Sequence, residues 1–119
     1  MDIGEKGRNQ MNFDEYQTQT SSTAIYPSDK ALEYLSLGVA SESGEIAGKV
    51  KKLIRDGYSK VSKEEWEKNL ASEIGDVLWY LARLSDELGF SLEEIAQENM
   101  DKLLDRKNRN VLKGSGDHR

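Results

Sequence analysis

Two pairs of acidic residues could do chemistry: Glu42 with Glu45 in "LGVASESGEIAGKV", and Glu73 with Asp76 in "LASEIGDVLWYLARL". Both pairs sit three apart inside stretches of helical periodicity, beside apolar stripes where a core helix gains nothing from charge. A helix turns about 100° per residue, so each side chain has a calculable angle from the middle of its stripe. Glu73 falls roughly 70° and Asp76 roughly 130° from that middle, and Glu42 and Glu45 repeat those angles on the flank of the same hand. Carboxylates brought together without cations repel, and a protein answers by raising their pKa values or by binding a metal. Oxygen-only donors suit Mg²⁺ or Mn²⁺ and suit zinc or copper poorly.

The elements that must position these acids are helices. Leu32, Leu35, Val39, Ile46, Val50, Leu53 and Ile54 predict a helix over roughly 29–56, capped by Ser28 and closed by Gly57. Leu70, Ile74, Val77, Leu78, Leu81 and Leu84 predict another over 62–88, opened by Ser62 with Glu65 and stopped at Gly89. Ser91 with Glu94 repeats the start signature for a helix over 91–109. A weaker first helix over 12–25, rich in Ser and Thr, turns Phe13 and Tyr16 inward and ends at Pro27. The link "GYSKV" is short, so the two acid-bearing helices are expected to be antiparallel neighbours, which puts flanks of equal hand on the same side. The midpoints of the acidic pairs lie about 13 residues before the turn and about 12 after it, each roughly 19 Å along the axis. Four carboxylates are therefore expected to meet. Gly44 and Gly75 lie inside the acidic motifs, where each costs a helix about 1 kcal/mol, and predict a close approach of a ligand or of another backbone.

Composition narrows the classes. A chain of 119 residues with 36% hydrophobic residues, one proline, and few Val, Ile and Thr is expected to be all-α, with a modest core completed by a second copy. Residues 1–11 read as a polar leader and 12–119 as one helical domain with a glycine-containing tail. A net charge of −5 speaks against nucleic acid as a partner. The absence of cysteine removes disulfides and thiolate metal sites, and the single His118 removes any site needing two histidines, including the Glu-x-x-His pairs of a di-iron bundle. No apolar run approaches the roughly 20 residues of a membrane span, and "MDIGEKGRNQ" is too polar for a signal peptide, so the expected location is the cytoplasm.

Glu42-Ser-Gly-Glu45, then Glu73-Ile-Gly-Asp76 followed by "LWYLARL", resembles the all-α nucleotide pyrophosphohydrolases of the MazG-like group. The likeness runs from about Tyr16 to Arg119 and includes "AIYP", "LGVASESGEIAGKVKKLIRDG" and "ENMDKLLDRK". The resemblance implies a four-helix-bundle-like MazG fold working as a homodimer or homotetramer. It further implies that Glu42, Glu45, Glu73 and Asp76 hold Mg²⁺ against a nucleoside triphosphate while water attacks the α-phosphate, releasing a nucleoside monophosphate and pyrophosphate. One of the four acids is a candidate base for that water.

Other residues are placed beside the acids. Lys49, one turn after Glu45, either contacts a phosphate or pairs with Glu45. Asn99 falls at the centre of the stripe made by Leu92, Ile95 and Leu103, where a polar group needs partners. Asn99, Lys102 and Arg106 line one side of their helix and are candidates for phosphate or ribose; the resemblance supports an Asn and a Lys at this point. Tyr80, one turn past Asp76, is a candidate substrate contact, whereas Trp79 points the other way, toward another helix or a second subunit. Tyr16, Tyr26 and Trp66 are read as core or edge residues. The tail "KGSGDHR" either offers backbone N–H groups and Lys113 to a phosphate or is a frayed terminus, and His118 stands where the resemblance calls for Asn. The competing reading of the whole chain is a non-catalytic helical adaptor whose acids only solvate it.

Overall fold

In the computed structural model residues 10–119 are described, so nearly all of the predicted leader lies outside the described residues. The start signals become four α-helices: α1 (Phe13–Thr20), α2 (Ala31–Asp56), α3 (Lys63–Glu87) and α4 (Leu92–Asn108), with 3-10 turns at Ser21–Thr23 and Ser28–Lys30. No strand occurs among the described residues, and the fold class is all-α as predicted. Ser62 and Ser91 act as caps, accepting hydrogen bonds from the Glu65 N–H at 3.1 Å and the Glu94 N–H at 3.0 Å. Gly57 closes α2 at φ 65°, a positive value that L side chains rarely adopt, while its N–H donates to the Leu53 carbonyl.

Two boundaries depart from the sequence reading. Helix α1 stops at Thr20 because the hydroxyls of Thr20, Ser21, Ser22 and Thr23 each donate to the carbonyl three residues back, which competes with the helical ladder and tightens the chain into a 3-10 turn. Ser28 does not cap α2: Pro27 holds the backbone extended, Ser28–Lys30 form the 3-10 turn, and α2 begins from Lys30 with no side-chain cap.

Helices α2 and α3 form an antiparallel hairpin, since Gly38 faces Tyr80 and Lys49 faces Glu73. Helix α1 crosses α3 and meets α4 through polar contacts. The buried Gln17 donates to the Phe90 carbonyl at 2.9 Å and accepts from the Leu92 N–H at 2.8 Å, which pins α1 to the α3–α4 junction. The Trp79 indole donates to Thr23 Oγ1 at 2.8 Å, so its packing partner is the segment after α1. Leu35, Ala31 and Ala82 are the buried apolar residues among those described.

Helix α4 packs chiefly against α1 and touches α3 near their junction. The predicted burial of Asn99 is corrected: it is exposed, as is Ile95 of the same stripe, while Leu92 and Leu103 are half-buried, so the cover that α1 and α3 give α4 stops short of Asn99. The tail does not fray. Arg106, itself buried, donates to the Asp117 carbonyl at 2.7 Å, and Arg119 donates to the carbonyls of Val111, Leu112 and Gly116.

Candidate metal centre

Helix α2 carries Glu42 to the side of the hairpin where α3 brings Glu73 and Asp76 to meet it. One oxygen from each of these three carboxylates lies within 4.8 Å of the others. Glu42 and Glu73 are half-buried and Asp76 is exposed. Glu45 is exposed and stands outside that group, one turn along α2 toward the hairpin turn. Burial raises the pKa of Glu42 above the ordinary glutamate value, and the negative charges of Asp76, Glu73 and Glu45 push it the same way. Such a cluster fits a hard divalent cation: every donor is a carboxylate oxygen, and a cation would relieve the repulsion that holds the Glu42 proton.

Lys49 reaches across from α2 to α3. Its Nζ lies 3.7 Å from Glu73 Oε1, so its partner is on α3 and not Glu45 on its own helix. Tyr80 lies flat across Gly38, where a Cβ would overlap the ring, and stands edge-on to Trp79 at 5.0 Å between centroids. Burial raises the Tyr80 pKa, with Tyr34 and the charges of Glu42 and Asp76 adding to it. Tyr16 is raised by burial and then by Asp76, so it also flanks the acids. The sequence reading left Tyr16 among the core candidates; it comes from α1, and no spacing rule says which face of the hairpin a separate short helix will cross. Tyr26 stacks on Tyr34 at 5.6 Å and donates to Glu87 at 2.9 Å, away from the cluster. Gly44 and Gly75 face open space, with no atom within 4 Å of an added Cβ, so packing inside this chain does not account for them.

The α4 candidates are not joined to the acids. Lys102 and Arg106 both reach Asp117 Oδ1, at 3.4 Å and 3.3 Å. Their pull, Arg106 first, holds the Asp117 carboxyl below the usual aspartate value. Asn99, Lys113 and His118 are exposed, and among the described residues no hydrogen bond or ion pair links them to Glu42, Glu73 or Asp76.

With this geometry in place, comparison with known proteins adds a family. The model of the MazG nucleotide pyrophosphohydrolase domain matches residues 30–111, a span holding α2, α3, α4 and all four acids. The Gene 37 protein of Mycobacterium phage L5 is 44% identical over 115 residues, covering 92% of this chain and 100% of the relative. No solved structure matches. An all-α hairpin whose facing helices bring acids together is thus paired with a match over more than half its length, and the chain belongs to the MazG nucleotide pyrophosphohydrolase domain family.

Proposed function

We propose that this protein hydrolyses nucleoside triphosphates, ribo- or deoxyribo-, to a nucleoside monophosphate and pyrophosphate. The observation that carries the reading is the meeting of Glu42, Glu73 and Asp76 on the α2–α3 hairpin of a chain from this family. Those three, with Glu45 one turn away, are the ligands for Mg²⁺, which Mn²⁺ can replace. When bound, the cation neutralises phosphate oxygens and lowers the pKa of an attacking water. The protein positions the triphosphate beside these acids, and one carboxylate takes the water's proton. A bond forms between the water oxygen and the α-phosphorus, and the bond from that phosphorus to the bridging oxygen breaks. The bridging oxygen leaves with the pyrophosphate.

Lys49 exchanges Glu73 for a phosphate oxygen when substrate arrives, and Tyr80 borders the acids. Asn99, Lys102 and Arg106 serve substrate from α4, the two cations by trading Asp117 for phosphate. The enzyme works in the cytoplasm as a homodimer or homotetramer of one domain over residues 12–119, without nucleic acid or membrane. Among the described residues no helix is long and apolar enough to cross a membrane.

Pyrophosphate release from a panel of NTPs and dNTPs tests this. Turnover is expected with Mg²⁺, is abolished by EDTA, and falls by about 10²–10³ in Glu73→Ala, the scale of removing one preorganised electrostatic contact. If folded wild-type protein turns over no nucleotide while Glu73→Ala folds and associates normally, the adaptor reading replaces it.

A further inference from the structure

A single ammonium faces the acids. Lys49 Nζ lies 3.7 Å from Glu73 Oε1, and among the described residues no other lysine or arginine is within ion-pair distance of Glu42, Glu73 or Asp76. Long helical side chains lean toward the N-terminus of their helix, so the Lys49 stem is directed back along α2 toward the turn of Glu45. It nevertheless bypasses Glu45 and takes Glu73 on the neighbouring helix. Among the described residues this is the one ion pair that joins two α-helices.

The pair is also drier than the others. The Glu73 side chain is 18% exposed, whereas the carboxylates of the other pairs are 47% or more exposed. Water screens it less, so the attraction exceeds the small one of a solvated pair. Glu73 is at the same time one of the three acids whose oxygens lie within 4.8 Å of one another. An ammonium on Glu73 therefore holds a carboxylate that a divalent cation would need, and it repels any cation brought to Glu42 and Asp76. Uptake of metal alone strands this ammonium. Uptake of metal together with a polyphosphate gives it phosphate oxygens, which lysine binds as a point charge.

We infer that Lys49 is a counter-ion built into the acid cluster, which keeps the affinity for a divalent cation low until a polyphosphate arrives to receive its ammonium. The inference rests on the proposed hydrolysis for the identity of that polyphosphate, and on the Lys49–Glu73 contact for the effect on the cation. The role differs from contact with a phosphate, since it acts before any nucleotide is bound. Metal and nucleotide then each favour the binding of the other, because both displace one ion pair.

Binding of Mn²⁺ alone to the nucleotide-free full chain, read by electron paramagnetic resonance in about 0.1 M salt to screen remote charges, isolates this role. Lys49→Met, with Lys49→Gln beside it, is expected to bind Mn²⁺ about tenfold more tightly than wild type, within the usual range for coupled sites. Loss of fold would weaken binding, so a gain separates a counter-ion from a structural prop. Lys49→Arg keeps the charge and stays close to wild type. Lys51→Met removes an exposed charge about 200° round the same helix and also stays close to wild type. For the Mn²⁺ complex of an α,β-methylene nucleoside triphosphate the order reverses, and Lys49→Met binds more weakly than wild type. The inference is overturned if Lys49→Met gains no Mn²⁺ affinity, if Lys51→Met or Lys49→Arg gains as much, or if the analogue does not reverse the order. Nucleotide turnover by wild type without the Mn²⁺ gain removes the counter-ion alone. The Mn²⁺ gain in a protein that turns over no nucleotide removes the proposed hydrolysis and leaves a metal site with its own counter-ion.

Discussion

Glu42 is the residue on which the electrostatics of the cluster converge, and its raised pKa sets a pH dependence. The folded protein holds this proton at a pH where the unfolded chain, with an ordinary value of about 4.3, has released it. Without metal, stability therefore falls as pH rises from the ordinary value through the raised one. Metal must displace the same proton, so Mg²⁺ affinity is expected to weaken as pH falls through the raised value, before ordinary glutamates titrate. Calorimetry across pH checks this, and Glu42→Gln removes the step together with most of the affinity. The meeting of Glu42, Glu73 and Asp76 was readable from the sequence because helix geometry converts residue number into angle and height, but Glu45, expected with them, stands outside the group. Glycines were less readable. Gly44 and Gly75 stood out by lying inside the acidic motifs, yet Gly38, outside both, alone of the three lies under a ring. Gly38→Ala is expected to cost about 1–3 kcal/mol through overlap with Tyr80. Gly75→Ala is expected to gain about 0.5–1 kcal/mol, because the added methyl meets no atom within 4 Å and the helix loses a flexible residue. Thermal melts separate the two.

At the scale of elements, apolar periods announced α2, α3 and α4 to within two or three residues, and the caps Ser62 and Ser91 marked the starts of α3 and α4, because those signals are local. The C-terminal end of α1 and the path of the tail were not announced, since each depends on competing hydrogen bonds. Arg106 of α4 was read as a candidate for phosphate or ribose, and the folded chain uses it to hold Asp117 of the tail. Asp117 has a depressed pKa, so its docking contribution is present above the unfolded value of about 3.9 and is lost as pH falls through the lower, folded value. Protection of the tail amides against hydrogen exchange, taken relative to the intrinsic rate at each pH, should therefore fall at that acidic pH. Asp117→Asn should loosen the same amides at neutral pH while leaving those of α2 and α3 protected.

At the scale of the whole molecule, the chain leaves much of its apolar surface uncovered. Leu35 is fully buried, whereas Leu37, Ile54 and Ile74 are 70%, 82% and 54% exposed. Ile74 lies between Glu73 and Asp76, so part of this surface borders the acids themselves. Amphipathic stripes on α2, α3 and α4 were plain in the sequence, but a stripe does not say whether its cover comes from the same chain, and α4 received little cover here. Exposed apolar faces of this kind are what a second copy would bury. Sedimentation equilibrium is expected to give the mass of a dimer or tetramer. Stability and assembly then become one equilibrium, so the melting temperature should climb as protein concentration rises, and specific activity should decline on dilution. A cell making little of this protein would hold mostly inactive protomers, and its expression level would act as a threshold for hydrolysis.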